Sequence, residues 1–271
     1  IQEQAIPLVL SGRDVIGCAQ TGTGKTAAFA IPIIHQLHRI VGSSKKAKEI
    51  RALIVTPTRE LAVQIGQNFD TYAKYTNLTQ ITLFGGVSQI PQVDTLKKGV
   101  DVVIATPGRL LDLHKQGFIN FDHLHTLVLD EADQMLDMGF INDVKKIVKL
   151  TPKNRQTLLF SATMPIAIRE LAEMFLIDPA KVEVSPVSST AEKVEQRIYF
   201  VEKTEKRNLL YHLIKNDNLS DVLVFSRTKH GADNVVKALR KNNIAAEAIH
   251  GDKSQNARQR VLEAFKNKEV G

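Results

Sequence analysis

Short runs of apolar, mostly β-branched residues recur along the first two thirds of the chain. They cover residues 15–19, 53–56, 81–84, 102–105, 127–129 and 158–160. The runs are continuously apolar rather than alternating, which is typical of strands covered by helices on both faces. Apolar residues at helical spacing fill 59–75, 140–150 and 166–175. This rhythm predicts an α/β fold with a parallel, doubly wound sheet.

The pattern breaks at residues 185–193, where Pro186, Ser188, Ser189 and Thr190 leave little to bury. We therefore predict a first domain at 1–187 and a linker at 188–193. Residues 194–271 then resume the alternation. Strands are expected at 198–201, 222–225 and 247–249, and helices at 209–214 and from Lys229 onwards. These elements predict a second α/β domain, of which the chain contains only part.

The 271 residues include 36 Lys and Arg against 29 Asp and Glu, a net charge of +7. Residues 188–271 carry more of this excess, with 16 basic and 11 acidic residues, than residues 1–187, with 20 and 18. This excess of basic residues favours a polyanionic partner but does not identify it. The single cysteine, Cys18, excludes an internal disulfide, and no apolar run is long enough to cross a bilayer. We expect a cytoplasmic protein with no membrane partner.

Residues 19–26 read AQTGTGKT between an apolar run and a helical stretch. Glycines allow such a loop to fold its amides around phosphate oxygens, and the following helix adds its positive end. We expect Lys25 to reach the β and γ phosphates and Thr26 to hold Mg²⁺. The loop residues expected to bind nucleotide are Thr21, Gly22, Thr23, Gly24, Lys25 and Thr26. Because Ala19 replaces the usual first glycine, a glycine-rich turn that binds nothing is the alternative.

The run 127–129 leads directly into Asp130, Glu131, Ala132 and Asp133. A carboxylate at the end of a neighbouring strand would complement the phosphate loop. We expect Asp130 to hold Mg²⁺, and Glu131 to orient and deprotonate the water that attacks the γ phosphate. The alternative is a solvated helix start, where acids suit the helix dipole.

These four residues spell DEAD, and together with AQTGTGKT they resemble the DEAD-box RNA helicase family. Further segments match in the family's order over essentially the whole chain. They are Gln2 before Ala5-Ile6-Pro7, PTRELA at 57–62, Gly85-Gly86, TPGR at 106–109, SAT at 161–163, residues 224–228 and the QxxR element at 255–258. The sequence of residues 225–231 most resembles that of the bacterial RhlE-like branch.

The resemblance implies two RecA-like domains, the second partial, and an ATP-hydrolysing RNA helicase that uses ATP and Mg²⁺. In this family the two domains close over nucleotide and RNA. Lys25, Asp130 and Glu131 would be catalytic, and Gln2 would read adenine. Asp133, Ser161 and Thr163 would couple the domains. The implied RNA contacts are Pro57, Thr58, Arg59, Gly85, Gly86, Thr106, Pro107, Gly108, Arg109, Arg227, Thr228, Gly251, Gln255 and Arg258.

Amides, hydroxyls and arginines of this kind suit sugars and phosphates, so we expect RNA binding with little sequence preference. Plainer alternatives stay open: the turns can be ordinary helix caps, and Ser161 and Thr163 can cap a helix that begins near Pro165. An ATP-gated RNA clamp that unwinds nothing is a rival function, and a DNA-directed motor is another.

Ile1 takes the place of an initiator Met, so the chain is expected to be a fragment. The family's arginines that reach the γ phosphate are expected beyond Gly271. Such an arginine is worth about 10³ to 10⁵ in rate. The chain is therefore expected to bind ATP but to hydrolyse it weakly.

Overall fold

A computed structural model describes residues 1–20, 22–41, 49–184, 195–217 and 219–270. Thr21, the predicted linker 188–193 and Gly271 lie outside the described residues. The chain divides into two compact units, Ile1–Val187 and Ser188–Gly271. In the described parts, no helix is both long enough and apolar enough to span a membrane.

The first unit contains strands and helices in close alternation. The strands are β1 Val15–Cys18, β2 Ala52–Val55, β3 Gln80–Leu83, β4 Val102–Ala105, β5 Thr126–Leu129, β6 Gln156–Ser161 and β7 Ala180–Glu183. The helices are α1 Gln2–Leu10, α2 Lys25–Val41, α3 Arg59–Tyr72, α4 Ile90–Lys97, α5 Pro107–Lys115, α6 Ala132–Asp137, α7 Ile141–Leu150 and α8 Ile166–Phe175.

The seven strands form one sheet in the order β3-β4-β2-β5-β6-β1-β7, and every pairing is parallel. The predicted parallel α/β sheet is confirmed. All six predicted runs are strands to within a residue or two. The sequence reasoning missed β7, an edge strand in which only Val182 is buried. Its alternation of apolar and charged residues is too short to stand out from a loop.

The central strands are buried on both faces, and each contributes alternate residues to two separate cores. Leu53 and Val55 of β2 face a core formed with α4 to α8. Ala52 and Ile54 of the same strand face the other core, formed with α1 to α3. This explains the continuous apolar runs, because successive side chains of a strand point to opposite faces.

The described residues of the second unit hold three helices: α9 Lys206–Asn216, α10 Lys229–Lys241 and α11 Gln255–Lys266. The strands predicted at 198–201, 222–225 and 247–249 are not formed there, so that part of the prediction is wrong. A strand exists only where a neighbour pairs its backbone groups, and an apolar run does not supply that neighbour. Phe200 and Phe225 are accordingly 98% and 89% exposed.

Candidate functional site

Three predicted motifs follow three adjacent strands of the sheet. The phosphate loop follows β1, SAT ends β6 and begins the next loop, and Asp130 to Asp133 follow β5. Because the strands are parallel, their carboxyl ends share one edge of the sheet, where open α/β sheets bind ligands. The fold therefore gathers residues that are more than a hundred positions apart in sequence.

The phosphate loop has the backbone geometry that its glycines predict. Gly22 and Gly24 have φ angles of +86° and +88°, which side chains disfavour. The Thr23 hydroxyl donates to the Gln20 carbonyl at 2.7 Å, and α2 begins at Lys25. The loop thus ends at a helix N-terminus, which attracts phosphate through its exposed amides and its dipole.

Gln2 lies against this loop. Its Nε2 donates to the Gly24 carbonyl at 3.2 Å. A Cβ atom at Gly24 would displace the exposed Gln2 amide, but the requirement for glycine here comes from the φ angle of +88°. The structure thereby joins the first helix to the phosphate loop through a residue that the sequence singled out for nucleotide choice.

Lys25 and Glu131 form a buried ion pair at the centre of this edge. The distance from Lys25 Nζ to Glu131 Oε1 is 3.0 Å, and the two side chains are 6% and 11% exposed. Glu131 adopts a left-handed backbone, with φ 53° and ψ 52°. This conformation costs a non-glycine residue about 1 kcal/mol or more, and such strain is concentrated at functional sites.

Asp130 is buried beside this pair, and its Oδ1 has no hydrogen-bond partner within the described part of the chain. Burial, reinforced by the charge of Glu131, raises the pKa of Asp130 to about 7, although Lys25 opposes the shift. A buried carboxylate oxygen without a donor is a natural ligand for a hard cation such as Mg²⁺. The residues present therefore fit the metal that the phosphate loop implies.

Asp133, Ser161 and Thr163 form a hydrogen-bonded cluster between α6 and the end of β6. The Asp133 carboxylate accepts from the Thr163 amide and hydroxyl, both at 2.8 Å, and the Asp133 amide donates to Ser161 Oγ at 3.1 Å. Partial burial raises the pKa of Asp133, but hydrogen bonds from both hydroxyls and from the Thr163 and Gln134 amides together outweigh burial, and the pKa is lowered.

Neither hydroxyl caps α8, whose N-cap residue is Pro165 and has no side-chain cap bond. The cap alternative for Ser161 and Thr163 is therefore wrong. The coupling role predicted for the cluster stays a prediction.

The predicted RNA residues of the first unit follow the three neighbouring strands β2, β4 and β3. Arg59 covers Gly86, where φ is +79° and a Cβ atom would overlap its guanidinium. Arg109 Nη2 donates to the Val87 carbonyl at 3.1 Å. Both arginines thus contact the loop that contains Gly85 and Gly86.

The other predicted residues at this edge are divided between structural and exposed positions. Pro57, Thr106 and Pro107 are buried, whereas Gly108 is exposed. Thr58 Oγ1 accepts from the Leu61 amide at 3.2 Å and caps α3. Its cap reading is confirmed.

In the second unit, Thr228 Oγ1 caps α10 by accepting from the Gly231 amide at 3.0 Å. Gln255 is buried, and Arg258 Nη1 donates to its Oε1 at 3.3 Å. Arg227 and Gly251 are exposed. This arrangement favours a supporting role for Thr228 and Gln255 and an accessible one for Arg227 and Gly251.

Sequence reasoning missed two polar residues that hold predicted site segments. Asp233 accepts from Lys253 at 3.0 Å and contacts His250 Nε2 at 3.2 Å, which fixes the turn containing Gly251. Gln92 is buried beneath the glycine loop of the first unit. A glutamine among the apolar residues of one helix face was a usable signal for Gln92. Asp233 gave no such signal, because an acid on a charged helix is common.

Comparisons with known proteins agree with this geometry. A family model described as DEAD/DEAH box helicase matches residues 1–171. A second, described as helicase conserved C-terminal domain, matches residues 205–271. The crystal structure of a DEAD box protein from the hyperthermophile Methanococcus jannaschii is similar with a TM-score of 0.60 and 37% identity. That match covers 98% of this chain and 70% of the other.

Two curated bacterial relatives are similar along almost the whole chain. The DEAD-box ATP-dependent RNA helicase CshA of Streptococcus pneumoniae is 43% identical over 98% of this chain and 50% of its own length. The ATP-dependent RNA helicase RhlB of Pseudomonas aeruginosa is 43% identical over 100% of this chain and 69% of its own length. The chain thus spans about half the length of the CshA relative. Similarity to the RhlE-like branch in particular stays a prediction.

The position of Gln2 generates a test of nucleotide choice. Gln2→Ala should weaken ATP binding more than GTP binding, by roughly 1 to 3 kcal/mol, because an amide that both donates and accepts matches the adenine edge. Titration of both nucleotides measures the difference, with the exposed neighbour Gln4→Ala as control. Equal affinity of the unmodified chain for ATP and GTP would contradict the assignment.

The raised pKa of Asp130 generates a second test. In the folded chain the Asp130 carboxyl keeps its proton up to a pH of about 7, whereas in the unfolded chain it releases the proton near its ordinary pKa of 3.8. The free energy of unfolding should therefore fall by up to about 1.4 kcal/mol per pH unit between these values. Asp130→Asn should remove this decrease, and the exposed Asp137→Asn should keep it. Denaturant unfolding from pH 4 to 8 in EDTA measures it, and parallel curves for parent and Asp130→Asn would refute the buried carboxyl.

Proposed function

We propose that this chain, which belongs to the DEAD/DEAH box helicase family, binds ATP with Mg²⁺, hydrolyses it weakly by itself and couples that hydrolysis to local strand separation in RNA. The observation that carries the proposal is the edge formed by β5, β6 and β1. There a glycine-rich phosphate loop, a buried lysine and two buried acids lie within one small region. We place this activity in the cytoplasm.

Lys25 and Glu131 would change partners when ATP binds. In this structure each neutralises the other at 3.0 Å. Phosphate oxygens at the loop offer Lys25 a stronger concentration of negative charge, so Lys25 would turn to the β and γ phosphates. Glu131 would then be released from its cation. A released carboxylate can accept a proton, and a paired one does so poorly.

Asp130 and Thr26 would hold Mg²⁺, which neutralises charge on the phosphates. Glu131 would orient a water molecule and accept its proton as the water oxygen bonds to the γ phosphorus. The bond between that phosphorus and the bridging oxygen breaks, leaving ADP and phosphate. Asp130 would thus bind the metal and Glu131 would accept the proton, because the two acids differ in burial and in their partners.

The loops after β2, β4 and β3 would bind the RNA backbone. Arg59 and Arg109 supply positive charge there, and the loops add backbone amides. These groups recognise phosphate and sugar rather than base edges, so binding would depend little on sequence. The cluster of Asp133, Ser161 and Thr163 would report the state of the nucleotide to the second unit.

Lys25 and Glu131 should separate ATP binding from chemistry. Lys25→Ala should weaken ATP binding roughly 10- to 100-fold, because it removes a charged hydrogen bond to phosphate. Glu131→Gln should retain ATP affinity yet lose about 10² to 10⁴ in hydrolysis rate. Nucleotide titration and RNA-stimulated phosphate release measure the two effects.

Glu170→Gln, an exposed acid on α8, is the control for this pair. Circular dichroism verifies folding, because Lys25→Ala leaves two buried acids without their cation. The catalytic assignment fails if Glu131→Gln hydrolyses ATP at the parent rate. ATP turnover without separation of a labelled duplex would instead favour an RNA clamp.

Backbone-directed RNA binding predicts a characteristic salt response. Arg109→Ala should weaken binding of single-stranded RNA and reduce the slope of log affinity against log salt by about 0.7, the value for one lost phosphate contact. ATP affinity measured without RNA should stay unchanged. Fluorescence anisotropy at several salt concentrations provides the slope.

Arg155→Ala is the matched control, because Arg155 also donates to a loop carbonyl, that of Pro152, but precedes β6 at the opposite edge. RNA binding that changes greatly when bases are permuted would contradict the proposed contacts. Equal affinity for DNA of the same sequence would favour a DNA-directed motor.

A further inference from the structure

Gln92 holds both ends of the glycine loop that follows β3. It lies on α4 and is 8% exposed. Its Nε2 donates to the Phe84 carbonyl at 3.2 Å and to the Ser88 carbonyl at 3.5 Å. These two carbonyls flank the residues Gly85, Gly86 and Val87. One side-chain amide therefore joins the two ends of the loop.

Packing alone does not account for a glutamine here. Its helix neighbours Val93 and Leu96 are buried in the apolar core, and a methionine of similar length would fill the same space. Gln92 Oε1 is buried without a hydrogen-bond partner among the described residues. A half-satisfied buried amide is unfavourable compared with an apolar side chain. What Gln92 contributes to the structure is the fixed shape of the loop.

The same loop contacts the two arginines that are proposed to bind RNA. Arg109 Nη2 donates to the Val87 carbonyl at 3.1 Å, and the Arg59 guanidinium lies over Gly86. Gly86, with φ at +79°, permits the close approach of Arg59. The directions of both guanidinium groups thus depend on the loop backbone, and Gln92 holds that backbone at the carbonyls of Phe84 and Ser88.

We propose that Gln92 is a positioning residue for RNA binding, which acts by holding the loop 84–88 in the shape that aims Arg59 and Arg109 at the RNA backbone. This inference rests on the proposed function. It assigns Gln92 no contact with RNA. A preorganised loop binds more tightly because less conformational entropy is lost when the ligand arrives.

The experiment compares three variants of the full chain. Gln92→Met removes the donors and keeps the approximate volume. Gln92→Glu leaves a single donor, and only while its carboxyl is protonated. Gln156→Met is the matched control, because Gln156 Nε2, at the first residue of β6, likewise donates to two carbonyls, those of Val9 at 2.9 Å and Arg13 at 2.7 Å. Thermal unfolding, ATP affinity and binding of labelled single-stranded RNA are measured for each.

Gln92→Met should bind RNA on the order of tenfold more weakly than the parent, with ATP affinity unchanged. Gln156→Met should lose stability without losing RNA affinity. For Gln92→Glu, RNA affinity relative to the parent should recover as the pH falls from about 8 to about 5, since burial raises the pKa of the new carboxyl. Arg59 and Arg109 are the charged side chains that the described residues place against the loop.

The Gln92 inference is overturned if Gln92→Met binds RNA like the parent, or if Gln156→Met weakens RNA binding equally. A flat pH response of Gln92→Glu would also overturn it. Arg109→Ala, measured in parallel, separates this failure from that of the proposed function. If Arg109→Ala weakens RNA binding and Gln92→Met does not, only the positioning role is wrong. If neither has an effect, the proposed RNA surface itself is wrong.

Discussion

Burial of the parallel sheet on both faces determines where chemistry can occur in the first unit. The central strands contribute their residues alternately to two apolar cores, and they contain no charged side chain. The charged groups of the site stand beyond the strand ends. Because every strand runs in the same direction, all carboxyl ends meet at one edge, and the order β5-β6-β1 brings the acidic segment, the SAT segment and the phosphate loop together there.

The charges at this edge are then set by burial. Asp130 and Glu131 are neighbours in sequence, yet Glu131 pairs with Lys25 while burial raises the pKa of Asp130 to about 7. Two positions further on, Asp133 accepts bonds from Thr163, and its pKa is lowered. Three acids of one short segment thus have three different environments. Such differences are the basis of the proposed division between metal binding, proton acceptance and coupling.

The loops after β2, β4 and β3 depend on the same scaffold in another way. Arg59 and Arg109 contact the loop 84–88, and the buried Gln92 bonds to that loop from α4, a helix packed on the core. The second unit offers a contrast. Its helices bury few of their residues, although Asp233 and the caps of α10 and α11 still shape its predicted contact turns.

The sequence by itself determined the strands β1 to β6, the phosphate loop and the acidic segment, because these depend on local periodicity, glycine and residue order. It also carried the family resemblance, through short motifs in a fixed order. Only the tertiary structure decided what depends on residues that are distant in sequence. It decided the pairing of β7 and the absence of strands at 198–201, 222–225 and 247–249 among the described residues. It also decided the Lys25–Glu131 ion pair and the raised pKa of Asp130. The partners of Gln92 belong to this second group: a glutamine on an apolar helix face can be noticed in the sequence, but its bonds to the Phe84 and Ser88 carbonyls depend on how the chain folds.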